Sequence, residues 1–564
     1  MIILNSNIKA QVLPPSKQTT ICNPVNLSYR FCLDTPSRRE AADPAVINFK
    51  NDYFLFASKS GGYWHSADMV QWDFITSADL PLEDYAPAAV VIGDTVYFMA
   101  SSGKNGSPIY KTADPLSGKW QLANDKFPIA MADPDLFLDD DGRLYLYYGC
   151  SNVNPVYAVE LNKTTLMPVG EPVHCFNSNR EKYGWERSGN YNDKPDAPWI
   201  EGSWMTKHNG KYYLQYAAPG TEFKSYADGM YVADKPLGPF KLAVNNPFSA
   251  KPEGFIAGAG HSSVFKDRFG NYWQVSTMTV SVKHMFERRI GIFPAFFEPD
   301  GNAYAYTKFG DFPLYLPKKK IISPAGLWPG WMLLSYKKPV SVSSTLDGYP
   351  AANAADEEIR TYWSAASGNT GEWIMIDLEQ QKTVNAVQLN FAEQGTNLYG
   401  RTAGIYYRYK LEYSNDKKNW RMLADKSLNN IDAPHDYLQL AAAVKARYIR
   451  LTNLYTPGGN FALSGLRVFG KSNGSIPAQV SKIKVKRADS DGCVAVIQWD
   501  KIKNATGYVI RYGTAPGKLY QHYQVFEKNA ITIRNLDKNR SYYFTVDSFN
   551  ETGVQEGVKI ILVK

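Results

Sequence analysis

The chain has few cysteines and none at the spacing of metal ligands. Its five, Cys22, Cys32, Cys150, Cys175 and Cys493, are scattered over 564 residues, which argues against a zinc module or a disulfide framework. A Cys22–Cys32 bridge stays open, although reduced thiols are the expectation. No stretch approaches the ~20 apolar residues that span a bilayer, so membrane insertion is not expected. The opening MIILNSNIKAQ lacks a basic region followed by an apolar core, so no signal peptide is visible; the protein either stays inside or has lost an export signal. Long basic runs are missing too. Net charge is only +8 and the densest cluster is Lys318 to Lys320, so nucleic acid is not an expected partner.

What remains is an ordinary soluble composition, 44% hydrophobic and 21% charged, in a chain long enough for several domains. Aromatic content is high at 14%, with 38 Tyr and 13 Trp. That excess suits β-structure, and it also suits sugar binding, where flat rings stack on C–H faces.

A repeat organises the first three hundred residues. ADPAVINFKNDYFLFAS, YAPAAVVIGDTVYFMAS, ADPDLFLDDDGRLYLYYG, IEGSWMTKHNGKYYLQYA and GHSSVFKDRFGNYWQVST each read as apolar strand, polar turn and aromatic strand. Their tyrosines, Tyr53, Tyr97, Tyr145, Tyr212 and Tyr272, are 44, 48, 67 and 60 residues apart, an interval that fits propeller blades of about four strands. Five copies predict five blades. Ten to twelve residues before each tyrosine stand Asp43, Ala86, Asp133, Glu201 and His261. Equivalent positions on the innermost strands face one channel, so three carboxylates and a histidine are expected to meet there and shift one another's pKa values.

Other features read as structural or open. Trp72, Trp120 and Phe240 recur near each blade's return and are expected to pack. DDDG at Asp139 to Gly142 lacks the ligand pattern of a calcium loop and reads as a turn. Arg30, Arg38 and Arg39 point at a substrate, at the acidic channel or at surface ion-pair partners. The long interruption before Glu201 carries Trp185, Tyr191 and Trp199, candidates to wall a sugar pocket.

The motifs ADP, DPDLFLDDDG, EGSWMTKHNGKYYL and GHSSVF, in that order, resemble family 43 of the glycoside hydrolases, five-bladed β-propellers that invert anomeric configuration, over roughly residues 23–317. The resemblance implies that Asp43 is the general base, Asp133 the carboxylate that tunes pKa and orients substrate, and Glu201 the general acid. It implies that His261 lies near a bound cation, often calcium, and that no organic cofactor is needed. FERRIGIFP brings Arg288 or Arg289 near the pocket, and Tyr85 departs from the tryptophan often found before the second-blade AP. The candidate substrate-binding residues are Tyr85, Arg288, Arg289, Trp185 and Trp204. Like-charge repulsion from Asp133 is expected to keep Glu201 protonated near neutral pH.

Beyond Pro317 the repeat stops. Residues 325–472, with NAADEE, TYWSA, WIMIDL and ARYIRL, resemble discoidin-type domains, the fold of family 32 carbohydrate-binding modules. That resemblance implies a cation near Asp356 to Glu358 and makes the loop from Glu393 to Tyr407, with Tyr399, Tyr406 and Tyr407, a candidate sugar contact; bracing the propeller is the other reading. Residues 476–564 resemble a fibronectin type III domain through Trp499 and a tyrosine corner at Leu536 and Tyr542. This last unit is expected to be a spacer or docking module that can be removed with little effect on small substrates.

The expected architecture is therefore all-β: a five-bladed propeller over 1–322 followed by two β-sandwiches. The expected protein is a monomeric, extracytoplasmic, inverting, exo-acting glycosidase that takes α-L-arabinofuranosyl or β-xylosyl ends of plant-type polysaccharides, with a cytoplasmic location left open. The alternatives are a galactosidase or galactofuranosidase of the same fold, or a sugar-binding propeller without catalysis.

Overall fold

A computed structural model describes residues 18–81, 84–101 and 107–564. Five antiparallel sheets carry the repeat, four of them four-stranded and the fourth with an added short strand, Ser249–Ala250. The first runs Ala45–Phe49, Asp52–Phe56, Gly62–Ser66 and Asp73–Thr76. The other four open on Ala88–Ile92, Asp135–Leu138, Glu201–His208 and Ala257–Lys266. Each opening strand neighbours those of the two flanking sheets, and the fifth neighbours the first. The ring is closed, and the protein carries the five-bladed propeller that the tyrosine spacing predicted.

The repeat holds because each blade buries apolar side chains from both faces of its middle strands. Tyr53, Leu55, Trp64 and Trp273 fill one interface, Phe56, Tyr63, Phe98 and Trp120 the next. Trp72 and Phe240 lie against these cores, as expected of packing residues. Asp139 closes its turn by accepting from the Tyr212 hydroxyl at 2.6 Å and pairing with Lys207. All five cysteines are free; the Cys22 and Cys32 thiols bond instead to the Asp311 carbonyl and to Glu40, each at 3.3 Å.

Two further β-units follow. In the first, the long strands Trp373–Phe391 and His435–Tyr455 shift register midway, and their inward residues close a core with Trp363, Leu411 and Leu466. In the second, Ile483–Arg487, Ala495–Trp499 and Ala530–Ile533 form one sheet, while in the other Gly507–Gly513 lies between the edge strand Gln521–Phe526 and Tyr542–Asn550. Trp499 lies in the core between them, and the Tyr542 hydroxyl accepts the Asp537 N–H at 3.0 Å.

The last unit is not a detached spacer. Tyr520 stacks on Tyr304 of the fifth blade with centroids 3.9 Å apart, Arg187 pairs with Asp491 at 2.5 Å, and Gln521 donates to Asn245 at 2.7 Å. Phe309, Phe312, Leu333, Phe469, Val509 and Phe549 form one core shared by all three units. Removing residues 476–564 would strip Val509 and Phe549 from that core and Tyr520 from Tyr304. We expect truncation after residue 475 to lower the melting temperature and soluble yield of the remainder, which differential scanning calorimetry would measure.

Candidate active site

The residues that head the blades share an unusual backbone. Asp43, Ala86, Asp133 and His261 have φ of 52°, 47°, 52° and 39°, a left-handed conformation that costs a residue with a Cβ about 1–2 kcal/mol. In the fourth blade the left-handed residue is Gly202 at 63°, one place after Glu201, so the carboxylate there precedes the turn instead of occupying it. Hydroxyls at the ends of the second strands fix these turns across blade boundaries. Ser58 Oγ accepts the Ala86 N–H at 2.7 Å, Ser101 Oγ the Asp133 N–H at 2.9 Å, and Thr277 Oγ1 the Asp43 N–H at 2.7 Å. Strain at Asp43, Ala86 and Asp133 is thus offset by a bond from the neighbouring blade.

The heads converge. Asp43, buried, accepts from Ser58 Oγ at 2.6 Å and Arg288 Nη1 at 2.9 Å, and faces His261 Nδ1 at 3.2 Å. Burial pushes its carboxyl up, but Arg288 first, then His261, Ser58 and Thr277, hold it below the usual carboxylate range. Asp133 accepts the Gly202 N–H at 3.1 Å and lies 3.6 Å from the same imidazole nitrogen. Among the described residues no arginine pairs with it. Burial pushes it up to about 7, with Glu201 and Asp43 adding and His261 opposing. Glu201, half-buried, takes a short bond from the Tyr226 hydroxyl and another from the Cys150 thiol at 3.2 Å. Burial would lower the His261 pKa, but Asp43, Asp133, Glu201 and Asp228 outweigh it, and the imidazolium is favoured.

Asp133 is thus a raised carboxyl of the pocket. An acid whose pKa rises on folding contributes stability that is complete below the unfolded value and lost as pH climbs through the folded one. For Asp133 that window runs from about 4 to about 7. We expect Asp133→Asn to melt higher than the parent at pH 7.5, and the difference to shrink at pH 4. Thermal unfolding at the two pH values checks this.

Other predicted residues separate. Arg288 faces the pocket, bridging Asp43, Glu40 at 2.6 Å and Thr221 Oγ1 at 3.3 Å. Its neighbour Arg289 points to the opposite side of the strand and donates to His435 Nε2 of the next domain at 2.9 Å. Tyr85 sits at the rim, 5.5 Å from the Phe286 ring, with Lys59 and Arg288 over its face. Trp185 is not a pocket wall: it is 1% exposed, packed on Tyr216 and flush against Gly229. Nor is Trp204, whose indole N–H donates to the Val264 carbonyl at 3.0 Å between blades. Tyr191 and Trp199 lie on the surface of the insertion. Arg38 and Arg39 turn away from the channel, to Asp34 and to Glu393 and Asp432.

Asp133, Cys150 and Glu201 offer ligand atoms within 4.8 Å of one another, a cluster capable of holding an ion. The donors do not fit the expected calcium near His261. Calcium takes six to eight oxygens, whereas this set includes a thiol, and His261 Nδ1 is directed at two carboxylates. The expected cation at Asp356 to Glu358 also meets protein partners. Glu357 pairs with Arg467 at 2.6 Å, Glu358 with Lys224, and Asp356 accepts from Thr361 at 2.6 Å. The candidate sugar loop there is docked as well: Tyr407 stacks on Phe391 at 3.9 Å, Tyr406 on Tyr455 at 5.0 Å, and Arg401 lies on the Phe74 ring of the first blade.

Ser58, Thr277, Tyr226 and Cys150 were not singled out in the sequence. The first was findable, because FAS and MAS end two of the aligned repeats. Tyr226 had no periodic signal. Gly202 is equally fixed: a Cβ there would fall 2.7 Å from His261 Cγ, at a positive φ. Gly202→Ala is expected to displace His261 and to lower activity by about 10²-fold or more, measured as kcat/KM on the best aryl glycoside.

Residues 37–303 match Glycosyl hydrolases family 43, and residues 339–465 match the F5/8 type C domain. Among curated proteins, a beta-D-galactofuranosidase of Aspergillus niger is 29% identical over 25% of this chain and 36% of its own length. A beta-xylosidase of Xylanibacter ruminicola is 28% identical over 25% and 46%. An arabinoxylan arabinofuranohydrolase of Paenibacillus polymyxa is 23% identical over 79% and 68%. The chain spans between about a third and a half of the length of the first curated relatives it matches. The closed five-bladed ring thus coincides with the match to Glycosyl hydrolases family 43 over 37–303, and the sandwich that follows it with the match to the F5/8 type C domain over 339–465.

Proposed function

We propose that this protein is an inverting, exo-acting glycoside hydrolase in which Asp43 is the general base, Glu201 the general acid, and Asp133 the carboxyl that orients substrate and tunes the acid. The observation that carries this reading is the polarity of the pocket. Asp43 is held ionised by Arg288 and His261, while Asp133, within 4.8 Å of Glu201, retains a proton to about pH 7. Inverting hydrolysis needs an ionised base apart from the acid, and the arginine and imidazole on Asp43 suit it to be that base. Asp43 takes a proton from water as its oxygen attacks the anomeric carbon, and the glycosidic C–O bond breaks as Glu201 protonates the departing oxygen. Exchange with solvent returns both groups to their starting states.

The favoured substrates are terminal β-xylosyl or α-L-arabinofuranosyl groups of plant-type polysaccharides or their oligosaccharides. Relatives named beta-xylosidase and arabinoxylan arabinofuranohydrolase support this, and the one named beta-D-galactofuranosidase keeps galactofuranosyl ends as the second reading. Aryl glycosides of the three sugars, assayed side by side for nitrophenol release, decide among them. Binding of these sugars without release would favour a lectin-like propeller. We read residues 476–564 as a fibronectin type III-like module on the strength of Trp499 and the Tyr542 bond, and the whole as an extracytoplasmic monomer.

A further inference from the structure

The proposed chemistry comes from the propeller, yet one cation of the F5/8 type C domain reaches the loops around it. Segment 356–362 is anchored on the fifth blade. Ile359 is buried with Phe255, Ile256, Met278 and Phe293, and its N–H donates to the Phe255 carbonyl at 2.9 Å. From this anchor Arg360 extends its guanidinium to three oxygens on three separate stretches of the propeller. Nη1 donates to Asn190 Oδ1 at 3.4 Å, and Nη2 to the Glu222 carbonyl at 3.2 Å and to Thr279 Oγ1 at 3.3 Å. Among the described residues no carboxylate lies within 4 Å of it in an ion pair. Burial lowers its pKa, so the charge sits here at some cost. A planar fork with five donors is suited to fixing several acceptors in one geometry, which a lysine cannot do.

What it fixes is the 219–226 segment, which reaches the two proposed catalytic carboxyls, Asp43 through Arg288 and Glu201 directly. Thr221 Oγ1 accepts from Arg288, the partner of Asp43. Tyr226 bonds to Glu201, its ring lying against Gly260. Between them, Lys224 pairs with Glu358 and donates its N–H to the same Asn190 Oδ1 at 3.0 Å, while Ser225 Oγ donates to the Gly189 carbonyl at 2.8 Å. The segment is thus held from below by the propeller insertion and from the side by the neighbouring domain.

We propose that Arg360 is a positioning residue for hydrolysis: by tying Asn190, Glu222 and Thr279 together it holds Tyr226 on Glu201, so that the F5/8 type C domain completes the active site of the propeller. This inference rests on Glu201 being the acid. Its consequence is specific. A misplaced acid matters most where the leaving oxygen must be protonated, and little where nitrophenolate departs unaided.

The test uses the full chain with Arg360→Ala, Arg360→Lys and, as reference, Glu201→Gln. Each is assayed on the preferred nitrophenyl glycoside and on an unsubstituted oligosaccharide of the same terminal sugar. Arg360→Ala is expected to lower kcat on the oligosaccharide about tenfold or more and on the nitrophenyl glycoside less than about threefold, with KM little changed on either. Arg360→Lys, which keeps charge and anchor, is expected to fall between Ala and the parent, and it carries the test if the alanine variant does not fold. Equal losses on both substrates, or none, while Glu201→Gln discriminates between them, would overturn the positioning role and leave the acid assignment intact. Failure of Glu201→Gln itself to discriminate would remove the acid assignment and this inference with it.

Discussion

Asp43→Asn should leave the protein folded and almost without activity on every glycoside, aryl glycosides included. A good leaving group replaces the acid but not the base, because water must still lose a proton as it attacks. General-base catalysis contributes about 10²–10⁴-fold, and the substitution also takes a charge from beside Arg288 and His261, so the loss in kcat is expected at or beyond the upper end of that range. Arg288 keeps Glu40 at 2.6 Å, and Asn can still accept from Ser58 at the same turn, which is why folding should survive. Steady-state kinetics beside a calorimetric melt separates the two effects. Retention of a tenth of parental kcat on nitrophenyl glycosides would exclude Asp43 as the base.

Glu201→Gln should instead divide substrates. The amide keeps the size of the carboxyl and its one oxygen can still accept from Tyr226, but it has no acidic proton to give. On natural linkages we expect kcat to fall about 10²–10⁴-fold. On nitrophenyl glycosides, whose leaving group needs little help, the loss should be smaller by at least a factor of about ten. A pair of kcat values on matched substrates is sufficient. Equal loss on both would move the acid role elsewhere, with Asp133 the next carboxyl to test.

The propeller and its three carboxyls were legible because both depend on a repeat. Tyr53, Tyr97, Tyr145, Tyr212 and Tyr272 mark equivalent strands, and counting back from them reached the channel heads; in the fourth blade the count was one residue short of the turn, at Glu201 instead of Gly202. What no repeat encodes was missed. Tyr226 comes from a connection between strands of a single blade, and nothing in its neighbours marks it as a partner of Glu201. Trp185 and Trp204 failed as pocket walls because blades fill their interfaces with aromatics, so an indole near a catalytic motif is uninformative until its side of the strand is known. The choice between Arg288 and Arg289 failed for a related reason. Adjacent strand residues face opposite sides, and only the pairing of Thr279 with Arg288 fixes which one looks at Asp43.

The domain contacts were illegible altogether. The acidic run Asp356 to Glu358 looked like a cation site because its partners, Arg467, Lys224 and Thr361, are either distant in sequence or ordinary surface types. The last unit looked removable because its own motifs, Trp499 and Tyr542, concern only its own core. Residues such as Tyr304 and Phe309 that receive it read as routine blade aromatics.

The central proposal is that Asp43 activates water instead of attacking sugar, and product stereochemistry tests it most directly. Proton NMR of the first sugar released, recorded before mutarotation mixes the anomers, should show the configuration opposite to that of the substrate, because a single displacement inverts the anomeric carbon. First appearance of the retained anomer, or a glycosyl adduct on Asp43 detected by mass spectrometry, would contradict the mechanism.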